Sequence, residues 1–161
     1  MSEQPFSHLD EAGHARMVDV TGKAPTAREA TAAGSVRCSP AVVAALTDGT
    51  VPKGDVLAVA RLAGINAVKR TPELVPLAHV IGIHGVVVDC RIVPDGVDIV
   101  VTVRTADRAG VEMEALTGVA VAALAVVDMV KGLDKSTSIA NVRLLAKSGG
   151  KSGTWTREGT A

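Results

Sequence analysis

The stretch from Gly110 to Lys135, GVEMEALTGVAVAALAVVDMVKGLDK, limits the fold most. It holds no proline, and Ala and Leu are frequent in its middle, so one continuous helix is expected. Val119, Ala122, Ala123, Val126 and Val130 recur at three-and-four spacing along one face, and Val121, Leu124, Asp128 and Lys131 along another. Asp128 and Lys131 are therefore expected side by side on an otherwise apolar wall. Glu112 and Glu114 open the helix, where carboxylates suit the positive end of its dipole. The apolar run Val119–Val127 is well short of the ~20 residues that cross a bilayer. A helix with so few polar positions belongs inside a protein, and in a small domain a second subunit is a ready cover for its remaining faces.

The other properties narrow the class. A length of 161 residues implies one domain with a real core. Lysines and arginines, 17 together, equal the aspartates and glutamates, so no global field points to nucleic acid or an acidic membrane. With one Phe, one Trp and no Tyr, the core is expected to be valine, alanine, leucine and isoleucine, and base-stacking platforms are lacking. Cys38 and Cys90 make neither a disulfide framework nor a zinc site. The start, MSEQPFSHLDEAGHAR, lacks the pattern of a signal peptide, so a cytoplasmic location is expected.

Read in order, residues 1–16 are expected to be a mobile arm, 17–147 a single α+β domain, and 148–161 a glycine-rich loop and tail. Met17–Val20 reads as a short strand, and Ser35–Cys38 as another after an alanine run. Ser39 fits a helix N-cap with Pro40 following, and the helix stops near Asp48-Gly49. Asp55 caps a second helix, Val56 to Arg70, whose small residues Ala60, Ala63 and Ala67 allow close approach to the long helix. Thr71-Pro72 should break it. Gly85–Val93 and Val97–Arg104, divided by Pro94-Asp95-Gly96, read as a β-hairpin. Thr105–Gly110 reads as a loop and Ser138–Leu145 as a last strand. Helices on one face of a mainly antiparallel sheet fit this order.

Several groups can carry chemistry. The Asp128–Lys131 pair is either a surface ion pair or, if desolvated, an acid–base pair. His79, alone in the apolar run Leu74–Ile83, is either a hydrogen-bonded structural histidine or a proton carrier. His84 does not pair with it at metal spacing, and no metal is expected. A phosphate would be met by Lys53, Arg104, Arg108, Lys147 or Lys151, which lie in loops or at element ends. Lys147-Ser148-Gly149-Gly150-Lys151-Ser152 lacks the spacing and following helix of a P-loop. It is either a flexible tail or a loop closing over an anion.

The segments ARMVDV, KGDVLAVARLAGINAVKRTPELVPLAH, GVEMEALTGVAVAALAVVDMVKGLDK and RLLAKSGGKSG together resemble the cyclic pyranopterin monophosphate synthase (MoaC) family of molybdenum cofactor biosynthesis. The likeness runs from about His8 to Trp155. It implies a ferredoxin-like α+β fold and a homo-oligomer, a hexamer built as a trimer of dimers. It implies a lyase that converts a cyclised dihydroguanosine triphosphate into cyclic pyranopterin monophosphate with release of pyrophosphate, and needs no cofactor. By motif, Asp128, Lys131, Lys53 and His79 match catalytic positions. Leu77, Ala78, His79, Glu112, Met113, Glu114 and Lys147 match substrate contacts, and Arg28 and Arg104 are candidates for the phosphate pocket. The chain departs from the family where Leu77-Ala78-His79-Val80 replaces Leu-Cys-His-Pro, and where Val127 replaces a frequent tyrosine. The alternative is a catalytically weak paralogue that binds a pterin or nucleotide intermediate or serves as an oligomer partner.

Overall fold

A computed structural model describes residues 6–159, so the first five residues of the expected arm and the last two of the tail lie outside the described residues. In chain order the elements are β1 (Thr26–Arg37), α1 (Pro40–Asp48), α2 (Val56–Lys69), α3 (Thr71–Leu74), β2 (Gly85–Val93), β3 (Gly96–Asp107), α4 (Glu112–Val130), β4 (Ser138–Ser148) and β5 (Trp155–Thr156). The sheet runs β2-β3-β1-β4-β5 with every neighbouring pair antiparallel. With α2 and α4 across one face, this is the ferredoxin-like α+β arrangement expected from sequence.

Local chemistry fixes most boundaries. The Ser39 side chain accepts from the Val42 amide, and Gly49 closes α1 in the left-handed region at φ 68°. Asp55 caps α2 by accepting from the Ala58 amide. The long helix forms where its period placed it. Val119, Ala122, Ala123, Val126 and Val130 are all fully buried, while Leu124 and Asp128 face out. By length and composition α4 is apolar enough to cross a membrane, but its burial is that of a core helix packed on the sheet and α2.

Short side chains set the layer spacing. Val97, Ile99, Val101 and Val103 of β3 and Ala30, Ala32 and Val36 of β1 form the floor under the helices. Each fully buried valine contributes about 1.5–3 kcal/mol. Glycines let the helices settle: a Cβ on Gly118 would lie 2.8 Å from Val68 Cγ2, and one on Gly64 3.2 Å from the Gly118 carbonyl. The α2–α4 crossing therefore depends on a pair of facing glycines as much as on Ala60 and Ala67. Val59, on the same helix, points outward.

Several segments differ from the sequence reading, among them β5 in the expected tail. The alanine run is not a prelude to a strand but the body of β1, twelve residues long and central in the sheet. Alanine disfavours strands only weakly, and burial between β3 and β4 outweighs that preference. Residues 17–20 form no strand. β3 continues through Thr105–Asp107, pairing with Thr26–Arg28, where a loop was expected.

Candidate active site

A cavity of about 520 Å³ opens where the N-terminus of α4 meets β1, the segment before β2 and the N-terminal arm. Glu112, Met113 and Glu114 supply one wall. The Glu112 carboxylate folds back over Gly110, where a Cβ would lie 2.0 Å from Oε2, so a side chain at that position would have to displace the carboxylate. Glu114 is on the inner side of the turn and only 3% exposed. Burial raises its carboxyl above the usual range, the nearby Glu112 charge adds to this, and His79 opposes it.

His79 comes from the irregular segment between α3 and β2. Ala78 N donates to the Val75 carbonyl, the Asp107 carboxylate accepts from Gly82 N at 3.0 Å, and Thr105 donates to the Gly82 carbonyl. The Gly82 amide above all holds the Asp107 carboxyl below its ordinary value. Leu77, Ala78, His79 and Ile81 line the cavity, while Val80 is 88% exposed. The His79 ring reaches the arm, with Nε2 2.5 Å from the Val18 carbonyl.

The opposite wall is cationic. Arg28 donates through Nε to the Asp107 carbonyl and through Nη2 to the Arg108 carbonyl. Arg108 donates through Nε to the Lys23 carbonyl. Backbone carbonyls thus hold both guanidinium groups, with Lys23 beside them in the lining. The glycine-rich turn lies against this wall: a Cβ on Gly149 would lie 2.1 Å from the Ala27 carbonyl, and one on Gly150 2.2 Å from Arg28 Nη1. Lys147, paired with the Ser152 hydroxyl, lines a small adjoining cleft with Arg28, Gly110 and Glu112.

A second constellation stands at the other end of α4. Asp128 is held between two ammonium groups, Lys131 one turn later and Lys53 from the loop before α2. Lys53 Nζ also donates to the Asp128 carbonyl at 3.0 Å. All three side chains are about half exposed. The hydrogen bond from Lys131, then that from Lys53, lowers the Asp128 carboxyl, which is ionised at neutral pH.

The single chain therefore brings together Arg28, Leu77, Ala78, His79, Glu112, Met113 and Glu114, with Lys147 next door. It separately brings together Lys53, Asp128 and Lys131. Asp128 is sixteen positions after Glu112 in α4, roughly 24 Å along the axis. Arg104 joins neither group: on the open face of the sheet it pairs with Glu29. Sequence reasoning missed Lys23, Val18 and Gly110 as cavity or wall residues. Gly110 beside two carboxylates was the only local signal among them. Among the described residues, no group of three or more His, Cys, Asp and Glu side chains is arranged to hold a metal ion.

The chain as a whole is similar to one class of protein. The MoaC family model matches residues 17–150. A Streptomyces coelicolor protein named cyclic pyranopterin monophosphate synthase is 59% identical over 94% of this chain and 89% of its own length. One of the same name from Geobacter metallireducens is 56% identical over 95% of this chain and 97% of its own. A Mycobacterium bovis protein, cyclic pyranopterin monophosphate synthase 2, is 54% identical over 94% and 91% respectively. The chain belongs to the MoaC family.

Proposed function

We propose that this chain is a cyclic pyranopterin monophosphate synthase, a lyase of molybdenum cofactor biosynthesis that works in the cytoplasm. It converts a cyclised dihydroguanosine triphosphate into cyclic pyranopterin monophosphate and pyrophosphate. The observation that carries this reading is the two-sided cavity, carboxylates on one wall and anchored cations on the other, in a chain whose relatives bear that name. Residues 17–147 are the catalytic domain, with the arm before it and the glycine-rich loop and tail after it.

Glu112 and Glu114 suit the guanine-derived end of the substrate, whose N–H groups donate in pairs. Burial disfavours charge on Glu114, and arriving N–H donors offset that by favouring the ionised form. Arg28, Lys23, Arg108 and Lys147 suit the triphosphate. When the phosphate ring closes, a hydroxyl oxygen bonds the inner phosphorus, the bond to the bridging oxygen breaks, and pyrophosphate carries away the electron pair. Cations fixed beforehand stabilise that charge without reorganising.

Ring opening and pterin closure need proton carriers, for which His79 and the Lys131–Asp128–Lys53 group are the candidates. The length of α4 keeps the second group from the cavity of its own subunit. We infer that in a homo-oligomer, a hexamer assembled as a trimer of dimers, the C-terminal end of one subunit's α4 completes the cavity of another. Arg104, outside its own cavity, would reach a phosphate in the same way.

The test supplies purified protein with the cyclised triphosphate and follows pyrophosphate and pterin product. Activity in the parent, lost in Asp128→Asn and Lys131→Ala, is expected. An inactive parent, or variants equal to it, refutes the assignment. Mixed oligomers of Asp128→Asn and Glu114→Gln subunits should regain part of the activity, since some sites receive both intact halves. No regain overturns the shared site.

A further inference from the structure

Two polar side chains of the cavity, His79 and Arg108, are tied to the same short turn. Val18 O meets His79 Nε2 at 2.5 Å, and Lys23 O accepts from Arg108 Nε at 2.8 Å. Both acceptors are main-chain carbonyls, so their direction depends on how the turn between them is held. Asp19 holds it. Its Oδ1 accepts from the Thr21 amide at 2.9 Å and the Thr21 hydroxyl at 2.6 Å, and Lys23 N closes on the Val20 carbonyl at 3.0 Å. On the far side of the turn is an open hollow of about 490 Å³ lined by residues 17–21, His79 and Arg108. Asp19 does not line the main cavity.

We propose that Val18–Lys23 is a backbone clamp that fixes the tautomer of His79 and the direction of Arg108, with Asp19 as the positioning residue that keeps it closed. The inference rests on reading His79 as a group that acts on substrate. A carbonyl oxygen has no proton to give, so Nε2 must carry the hydrogen and donate it. In the neutral ring the lone pair is then on Nδ1, the atom that takes or returns a proton. Protonation at Nδ1 leaves Nε2–H unchanged, so the clamp stays closed through a proton transfer. The same turn fixes a cation through Arg108, coupling the aim of an acid–base group to that of a phosphate-facing one.

The test uses the full chain labelled with ¹⁵N-histidine; its four histidines are separated by the signal lost in His79→Gln. In the unliganded parent, neutral His79 should be the Nε2–H tautomer, and a predominant Nδ1–H form overturns the proposal. Asp19→Ala should mix the tautomers and lower kcat about tenfold, with a smaller change in KM. Asp19→Asn should restore both, because its carboxamide oxygen can accept the same two bonds. An Asp19→Ala protein with the parent's tautomer and kcat overturns it as well. Where Asp19→Ala fails to fold, the parent spectrum alone decides. The tautomer is read without substrate, so this proposal and the assigned reaction fail independently.

Discussion

The two ends of α4 carry charge under opposite conditions. At the N-terminal end Glu114 is buried, and desolvation pushes its carboxyl up. At the C-terminal end Asp128 is exposed to water, and two ammonium groups pull its carboxyl down. The same helix thus presents a carboxyl whose charge is costly until a partner arrives and another whose charge is already compensated. Recognition of N–H donors gains from the first state, since the incoming bonds are worth most where water is excluded. An anion that must hold a lysine in place gains from the second. Exposure also makes the Asp128 end cheap to alter, whereas the Glu114 end is set into the core.

The sharpest way to break this contrast is to compare activity with stability. Asp128→Asn and Lys131→Ala should each lower kcat/KM by roughly 100-fold or more while lowering Tm only slightly, because ion pairs at this exposure are worth little. Glu114→Gln should also lower activity, yet hold or raise Tm by removing a buried charge. Thermal unfolding and initial rates on the same samples check both. A large Tm loss in Asp128→Asn would mean that the exposed end is structural.

Next in size is the middle that joins the ends. Gly118→Val should cost about 1–3 kcal/mol, since its side chain has no room against Val68 and Val101. Gly132→Ala, with nothing within 4 Å of its new carbon, should stay within about 0.5 kcal/mol. Denaturant midpoints measure the difference. Equal values would show that α2 and α4 are not in close contact there.

A smaller effect separates the ends by pH. Glu114, with its carboxyl raised on folding, binds protons more tightly in the native state. Its contribution is fullest at acid pH and declines as pH rises from about 4 through the raised value. Asp128, lowered on folding, contributes above about pH 4 and loses that contribution as pH falls through the lowered value. Tm against pH for the parent, less that for Glu114→Gln and for Asp128→Asn, should therefore slope in opposite directions. Slopes of one sign would contradict the burial difference. The least effect is expected at Val80→Pro. That side chain is in solvent and Asp107 already anchors the segment, so stability should remain within about 0.5 kcal/mol by denaturant unfolding.

How much of this was legible depends on how local each cause is. The period of α4, the Ser39 and Asp55 caps and the β2–β3 turn are set by neighbours a few residues away, and the sequence carried them outright. So was the meeting of Asp128 with Lys131, one helical turn apart. The motifs also carried the family, and with it the candidate residues.

Tertiary structure alone placed Lys53 on Asp128, across a separation of 75 positions. It turned an alanine run into the central strand β1, because burial outweighs intrinsic preference. It brought Lys23 and Arg108 to one wall through main-chain carbonyls, and such contacts leave no trace in residue identity. It also divided the candidate residues between the two ends of α4. The motifs give residues without distances, and only a rigid helix roughly 24 Å long between Glu112 and Asp128 decides which of them can meet.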